Sequence, residues 1–157
     1  MSARTTLIRR TDGPPAPAAG RPILLITLGT PVSPVAASVA MGAATDAGSP
    51  LILANVTRLE PLSLSIVLGY DALEELTPET SGSLRDLAER ASASGLDVER
   101  LRVRSPRPAT AIVELVSEIA PALVVLGSDP ADLPRRRFDR VATVLRERVT
   151  ILVWLPE

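Results

Sequence analysis

The sequence predicts an α/β fold, an open five-stranded parallel sheet with helices on both faces. Apolar runs of strand length alternate with longer segments of helical period, the pattern of βαβ units with right-handed crossovers. The core must be built from Ala, Val, Leu and Ile, because the 157 residues include only one Phe, one Tyr and one Trp. Small aliphatic side chains suit a parallel sheet between helices, and the length suits a single domain.

The first two strands and the helix between them have clear boundaries. Ile23 to Leu28 is the first predicted strand. Ser33 is a good N-cap with Pro34 at the first helical position, and Gly48 suits the end of the Ala-rich helix that follows. Leu51 to Val56 is the second strand.

The middle of the chain is less regular. Residues 58–76 mix apolar and turn residues without a sustained period, and both a short helix and a lid over the sheet edge fit them. Thr77 and Pro78 repeat the cap-plus-proline start of a helix, which Gly95 ends. The apolar residues of this helix recur at helical spacing: Leu84, Leu87, Ala88 and Ala91. Leu96 to Arg104 follows as a third, imperfectly alternating strand.

Two further helices and two further strands complete the alternation. Pro108 begins a helix with one apolar stripe, formed by Ala111, Ile112, Leu115, Val116 and Ile119. Leu123 to Leu126 is the fourth strand, Arg135 to Arg148 is a helix, and Thr150 to Leu155 is the last strand.

The N-terminal residues 1–21 are expected to be a flexible leader, because they end in a stretch rich in Pro, Ala and Gly. The domain is then residues 22–157. No apolar run approaches the roughly 20 residues needed to span a bilayer, and the leader has no signal-peptide core. We therefore expect a cytoplasmic protein. With a net charge of -1, neither nucleic acid nor a membrane is an expected partner.

Several residue types are missing from the chain, and their absence excludes most enzyme classes. There is no Cys or His, and every basic residue is Arg. Thiol nucleophiles, His-based triads, the common zinc sites and phosphate-binding or Schiff-base lysines are thus excluded. Glu114 and Glu118 lie one helical turn apart, opposite the apolar stripe of their helix. We interpret them as residues of a solvent-facing helix surface rather than as an acid/base pair. We expect no metal, no catalytic residue and no enzyme activity, although slow ATP hydrolysis is left open.

The candidate ligand-binding residues follow the first and fourth strands. Gly29 and Thr30 follow the first, and Gly127 and Ser128 follow the fourth. Ligands of open α/β sheets bind at the carboxyl ends of strands. These four residues are the predicted contacts should a nucleotide bind, and the alternative for Gly127 and Ser128 is a tight turn that needs small residues.

Four motifs in this order resemble the universal stress protein family. They are Ile23–Thr30, the helix start Pro108–Ile112, Leu123–Ser128 and Val149–Val153. The resemblance covers Pro22 to Pro156. It implies a Rossmann-like fold of the adenine nucleotide alpha hydrolase-like type.

The sequence departs from the family at both ATP-binding motifs. Members that bind ATP have an acidic residue at the end of the first strand, where this chain has Leu28. They also have a loop of the form G-x-x-G-x(9)-G-[ST], of which only Gly127 is present, since Pro130, Arg140 and Val141 occupy the other positions. Proline has no N–H group for a phosphate. We therefore expect a universal stress protein that binds neither ATP nor any other cofactor.

Arg135, Arg136 and Arg137 support the main alternatives. Three guanidiniums near a helix N-terminus could hold the phosphate of ATP or another adenine nucleotide without the usual glycines. Nucleic-acid binding through the same arginines is a third hypothesis, against which the acidic pI counts. The aspartates near these arginines favour a different interpretation, in which the arginine charges are neutralised locally on a solvent-facing surface and bind no anion.

The last predicted strand, Thr150 to Leu155, is apolar on both faces and needs a cover. Helices within a monomer could supply it. The resemblance implies instead that this strand meets its copy across a two-fold axis, with Trp154 as an anchor. The first hypothesis is therefore a homodimeric binding or regulatory module in the stress response. A protein partner is left open, and the composition fits a GC-rich bacterial genome.

Overall fold

The computed structural model describes residues 6–12, 20–58 and 78–157. Within these ranges the strands are β1 (Thr6–Asp12), β2 (Ile23–Thr27), β3 (Leu51–Arg58), β4 (Val98–Ser105), β5 (Leu123–Leu126) and β6 (Leu152–Trp154). The helices are α1 (Pro34–Ala47), α2 (Pro78–Ala93), α3 (Pro108–Ile119) and α4 (Arg135–Arg148). A short 3-10 turn, Pro130–Asp132, lies between β5 and α4.

The strands form one sheet in the order β1-β4-β3-β2-β5-β6. β2 is central and pairs in parallel with β3 on one side and β5 on the other. β4 and β6 extend the parallel sheet outward from these two strands. The predicted five-stranded parallel sheet with helices on both faces is thus confirmed.

Each face of the sheet has its own apolar core. On one face, side chains of α3 and α4 pack against the even-numbered positions of β2 and β3. On the other, side chains of α1 and α2 pack against the odd-numbered positions. The two cores follow from the alternation of side chains along each strand. Buried strands that are apolar on both faces are the mark of a covered parallel sheet.

The start and end of α1 agree with the sequence prediction. Ser33 Oγ accepts a hydrogen bond from Ala36 N at 3.5 Å. Gly48 ends the helix with a φ of 61°, in the left-handed region that favours glycine. The buried residues of the helix are all alanine: Ala36, Ala37, Ala40 and Ala44. This small face allows α1 to lie close to the sheet.

β1 was not predicted, and it lies within the segment that was expected to be a leader. It runs antiparallel to β4, with Thr6 opposite Arg104 and Asp12 opposite Val98. An edge strand of this kind covers the backbone hydrogen-bonding groups of β4. The division into a leader and a domain stays a prediction. Residues 59–76, whose structure the sequence left open, lie outside the described residues.

The last strand is shorter than predicted, since β6 comprises Leu152–Trp154 rather than residues 150–155. It pairs with β5 and forms the edge of the sheet opposite β1. Val153 and Trp154 are half-buried, whereas Leu152 is 72% exposed. Across the described ranges, no helix has the length and apolar character needed to cross a bilayer.

Candidate functional site

The candidate site is the crevice at the carboxyl ends of β2 and β5. After β2 the chain continues into α1 on one face of the sheet, and after β5 it continues into α4 on the opposite face. Neighbouring strands whose connections leave to opposite faces form a topological switch point, where ligands of α/β proteins bind. Gly29, Thr30, Gly127 and Ser128 all lie here, so the structure brings the four predicted residues together.

Ser128 connects the ends of the two strands through its hydroxyl group. Ser128 Oγ accepts hydrogen bonds from Leu28 N and from Thr30 Oγ1, both at 2.8 Å. The backbone adds a third link, since Ser33 N donates to Gly127 O at 2.8 Å. Ser128 is 0% exposed. These polar groups therefore bind one another within the protein, and their role as nucleotide contacts stays a prediction.

Gly127 is tightly packed. A Cβ atom at this position would lie 2.7 Å from Leu25 Cδ2 and 3.2 Å from Ile26 O. The backbone is equally close, because Gly127 N donates to Ile26 O at 2.6 Å. Such distances leave no room for a side chain. Packing at the junction of β2 and β5 alone accounts for a glycine here.

The loop between β5 and α4 uses its backbone N–H groups for its own turn. Ala131 N donates to Asp129 Oδ1 at 2.9 Å. Asp132 N donates to Asp129 O at 3.0 Å, and Leu133 N donates to Pro130 O at 3.4 Å. A phosphate loop needs N–H groups that point at the ligand. In this loop those groups already have acceptors.

The three consecutive arginines begin α4 and face solvent. Arg135 is 94% exposed at its side chain, and its Nε lies 3.8 Å from Asp139 Oδ2, one helical turn away. Arg136 is exposed and Arg137 is half-buried. An exposed pair of this kind contributes little stability. The pair agrees with the predicted local neutralisation of this cluster.

Asn55 is a polar residue of the site that the sequence analysis missed. It lies on β3, is 1% exposed, and accepts hydrogen bonds at Oδ1 from Gly29 N at 2.9 Å and from Thr27 Oγ1 at 3.0 Å. Asn55 thereby holds the turn that follows β2. A signal for it was present, because an asparagine in the apolar run of residues 51–56 must find hydrogen-bond partners once buried.

Metal-binding chemistry has no support in the described part of the chain. There, no three His, Cys, Asp or Glu residues lie close enough to hold a metal ion together. Asp129 and Asp132 lie in the loop after β5, where Asp129 is committed to capping the 3-10 turn. The carboxylate of Asp129 thus serves the local backbone.

An open parallel sheet with helices on both faces and a crevice at its switch point defines a Rossmann-like α/β protein. A sequence profile described as the universal stress protein family matches residues 20–155. The chain therefore belongs to the universal stress protein family. Among curated protein sequences, none matches it.

Solved structures of universal stress proteins share this fold. One, in complex with cAMP, is 23% identical with a TM-score of 0.56, and the match covers 89% of this chain and 98% of that one. A protein from Archaeoglobus fulgidus in complex with dAMP is 20% identical with a TM-score of 0.60, covering 88% and 99%. A family protein from Arabidopsis thaliana with AMP bound is 12% identical with a TM-score of 0.52, covering 85% and 90%.

Proposed function

We propose that this universal stress protein is a homodimeric binding or regulatory module of the cytoplasmic stress response, and that its crevice does not hold ATP. The observation that carries the proposal is the closed set of hydrogen bonds around Ser128. Its hydroxyl and the N–H of Leu28 are buried and bound to each other. A phosphate would have to displace contacts that the fold itself uses.

Two further features support a crevice without ATP. Leu28, which stands where ATP-binding relatives have an acid, is 1% exposed and belongs to the apolar core. The N–H groups of the loop after β5 are taken by Asp129 and Pro130. The crevice thus lacks the usual acid, and three N–H groups of this loop already have acceptors other than a phosphate.

The test is the nucleotide content and nucleotide affinity of the purified protein. The protein is denatured, and any released nucleotide is identified by chromatography. ATP and AMP are then titrated calorimetrically into refolded, ligand-free protein whose circular dichroism matches the starting material. We expect no nucleotide at stoichiometric amounts and no saturable heat. Release of an adenine nucleotide at one per chain would overturn the proposal.

A second candidate function is adenine-nucleotide binding through the arginines of α4. The structures in complex with cAMP, dAMP and AMP favour it, together with the exposed positions of Arg135 and Arg136 at the start of α4. Guanidiniums bind phosphate by charge-assisted hydrogen bonds.

Two variants, one test and one control, examine whether the arginines at the start of α4 bind the nucleotide. Replacing Arg135, Arg136 and Arg137 by alanine removes the cluster at the start of α4. Replacing Arg146 and Arg148 by alanine removes exposed arginines from its other end. This hypothesis requires the first variant to weaken AMP binding by roughly tenfold or more, and the second to leave it unchanged. Equal affinity in all three proteins would reject it.

The homodimer is proposed to form through β6. This strand is the sheet edge opposite β1, and its Leu152 is exposed although large and apolar. A second copy that covers β6 would bury Leu152 and the half-buried Trp154. Light scattering of the purified protein should give a mass of two chains, and the mass of one chain would contradict the proposal. We propose no catalytic role, because the chain has no His, Cys or Lys.

A further inference from the structure

The helices α3 and α4 lie side by side on one face of the sheet and carry opposite charges. Both pack against the same apolar core, and they contact each other. Glu114 and Glu118 are the charged residues of α3. α4 has six arginines against Asp139 and Glu147, so its side chains sum to a net charge of +4. The outer surface of this face is therefore acidic along one helix and basic along the other.

The opposite charges of the two helices are exposed, and they do not pair with each other. Glu114 and Glu118 are exposed, and so are Arg140 and Arg146. Among the described residues, the one ion pair of α4 lies within the helix itself, and none joins α4 to α3. Within one chain, the two helices thus leave each other's charges without direct partners.

Each helix also has like charges that oppose one another. Glu114 and Glu118 are four positions apart, and so are Arg136 and Arg140. Residues at this spacing are neighbours on a helix surface, and like charges there destabilise the helix. Opposite charges supplied by another molecule would relieve both pairs. A partner that offers both an acidic and a basic surface in the right places is a second copy of this chain.

A two-fold axis that runs along the helices, between α3 and α4, sets the acidic helix of one copy against the basic helix of the other. α3 follows β4 and α4 follows β5, and these strands point the same way in the sheet, so both helices begin at the same edge. Counted from the first residue of each helix, Glu114 and Glu118 are positions 7 and 11, and Arg140 and Arg146 are positions 6 and 12. The opposite charges therefore lie at similar heights, and the symmetry forms the contact twice.

We propose that the surface formed by α3 and α4 binds a second copy of this chain, with Glu114 and Glu118 of each copy facing Arg140 and Arg146 of the other. This surface is separate from the edge strand β6, so the contact does not depend on the proposed function. Exposed ion pairs are weak and are screened by salt. The contact therefore forms at high protein concentration and low ionic strength. In dilute solution at about 0.15 M salt it is screened and leaves the mass unchanged.

Sedimentation equilibrium of the full chain tests the contact. The protein is studied at near-millimolar concentration in about 0.02 M and about 0.5 M sodium chloride, which correspond to weak and strong screening. We expect the average mass to be higher at low salt than at high salt, and to return to the high-salt value when salt is added. Equal masses at the two salt concentrations would overturn the proposal.

Charge reversal on α4 connects the association to this helix. Arg140→Glu with Arg146→Glu should weaken the association at low salt by roughly tenfold or more, because like charges then face each other. Arg85→Glu with Arg90→Glu is the matched control, since these exposed arginines lie on α2, on the other face of the sheet, and their replacement changes the net charge equally. The control should associate clearly more strongly than the α4 variant. Equal weakening would assign the effect to net charge and overturn the proposal.

The reverse exchange on α3 tests whether the two helices are complementary. Glu114→Arg with Glu118→Arg should also weaken the association. When these changes are combined with those on α4, the net charge returns to its original value and the association should return with it. Circular dichroism establishes that each variant is folded. Should the combined variant fail to fold, an equimolar mixture of the α3 and α4 variants decides, because each then supplies the charges that the other lacks. Failure of the association to return would overturn the proposal.

Discussion

Gly127 and Ser128 are neighbours with different roles at the junction of β2 and β5. Gly127 is favoured by space, because an added Cβ would lie only 2.7 Å from Leu25 Cδ2 and 3.2 Å from the carbonyl oxygen of Ile26. Ser128 is required by hydrogen bonding, because its hydroxyl accepts from Leu28 N. Both residues were predicted as nucleotide contacts, with a tight turn as the alternative. The described contacts are enough to require both residues for the fold, and their role as nucleotide contacts stays a prediction.

Gly127→Ala is expected to destabilise the protein by about 1–3 kcal/mol, because the added methyl group overpacks the contact with Leu25. Gly42→Ala is the matched control, since a Cβ at this exposed position of α1 meets nothing within 4 Å. The control should gain about 0.5–1 kcal/mol from helix propensity. Urea denaturation measures both. Equal free energies of unfolding would contradict the packing argument.

Ser128→Ala is expected to cost about 1–3 kcal/mol, because it leaves the buried N–H of Leu28 without its acceptor. Ser117→Ala, at an exposed position of α3, should change stability by less than about 0.5 kcal/mol. Native-state hydrogen exchange gives the site-specific readout. The amide of Leu28 should exchange faster in Ser128→Ala than in the unmodified protein. Unchanged exchange would show that this hydrogen bond is not a stability determinant.

Among the secondary-structure elements, β1 and β6 form the two edges of the sheet, and they differ in direction and in the length of their pairing. β1 is antiparallel and pairs with β4 over seven residue pairs. β6 is parallel and pairs with β5 over three. Helix boundaries were predictable from local signals, such as Ser33 and Gly48 around α1. The strand β1 could not be predicted in this way, because its partner strand β4 lies about ninety positions away in the sequence and the residues that follow β1 resemble a linker.

Leu152→Asp is expected to convert the proposed dimer into a monomer, because it places a charge on the exposed apolar edge of β6. Val35→Asp is the matched control. Val35 is 63% exposed on α1 and Leu152 is 72% exposed, so both changes remove an exposed apolar side chain. Light scattering should report one chain for Leu152→Asp and two for Val35→Asp. A dimer in both would exclude Leu152 from the interface.

Removal of residues 1–19 is expected to leave a folded domain, because, among the side chains that the structure describes, both apolar cores are built from residues 23 onward. The loss of β1 exposes the backbone of β4, so the shortened protein should self-associate more with rising concentration. Circular dichroism and sedimentation velocity measure the two effects. Loss of the folded signal would show that β1 belongs to the domain rather than to a leader.

For the whole molecule, most of the parallel sheet could be predicted because each part of it has a local signature. The stripe containing Ile112 and Leu115 defined α3, and the run ending at Gly127 defined β5. The position of the candidate site was predictable, and so were the four small or polar residues that follow β2 and β5. Asn55 was missed because its partners, Thr27 Oγ1 and Gly29 N, come from a different part of the chain; the apolar run around Asn55 indicated only that it needs partners.

The antiparallel strand β1 has a consequence for how copies of this chain can assemble. A sheet with two open edges could add molecules at both ends and grow into a fibre. The two outer strands differ, because β1 is antiparallel to β4 whereas β6 is parallel to β5, so the two edges present different backbone surfaces to a second copy. A two-fold contact through β6 uses the same surface on both chains and closes the assembly. The proposed dimer through β6 would therefore need no further copy to complete that interface.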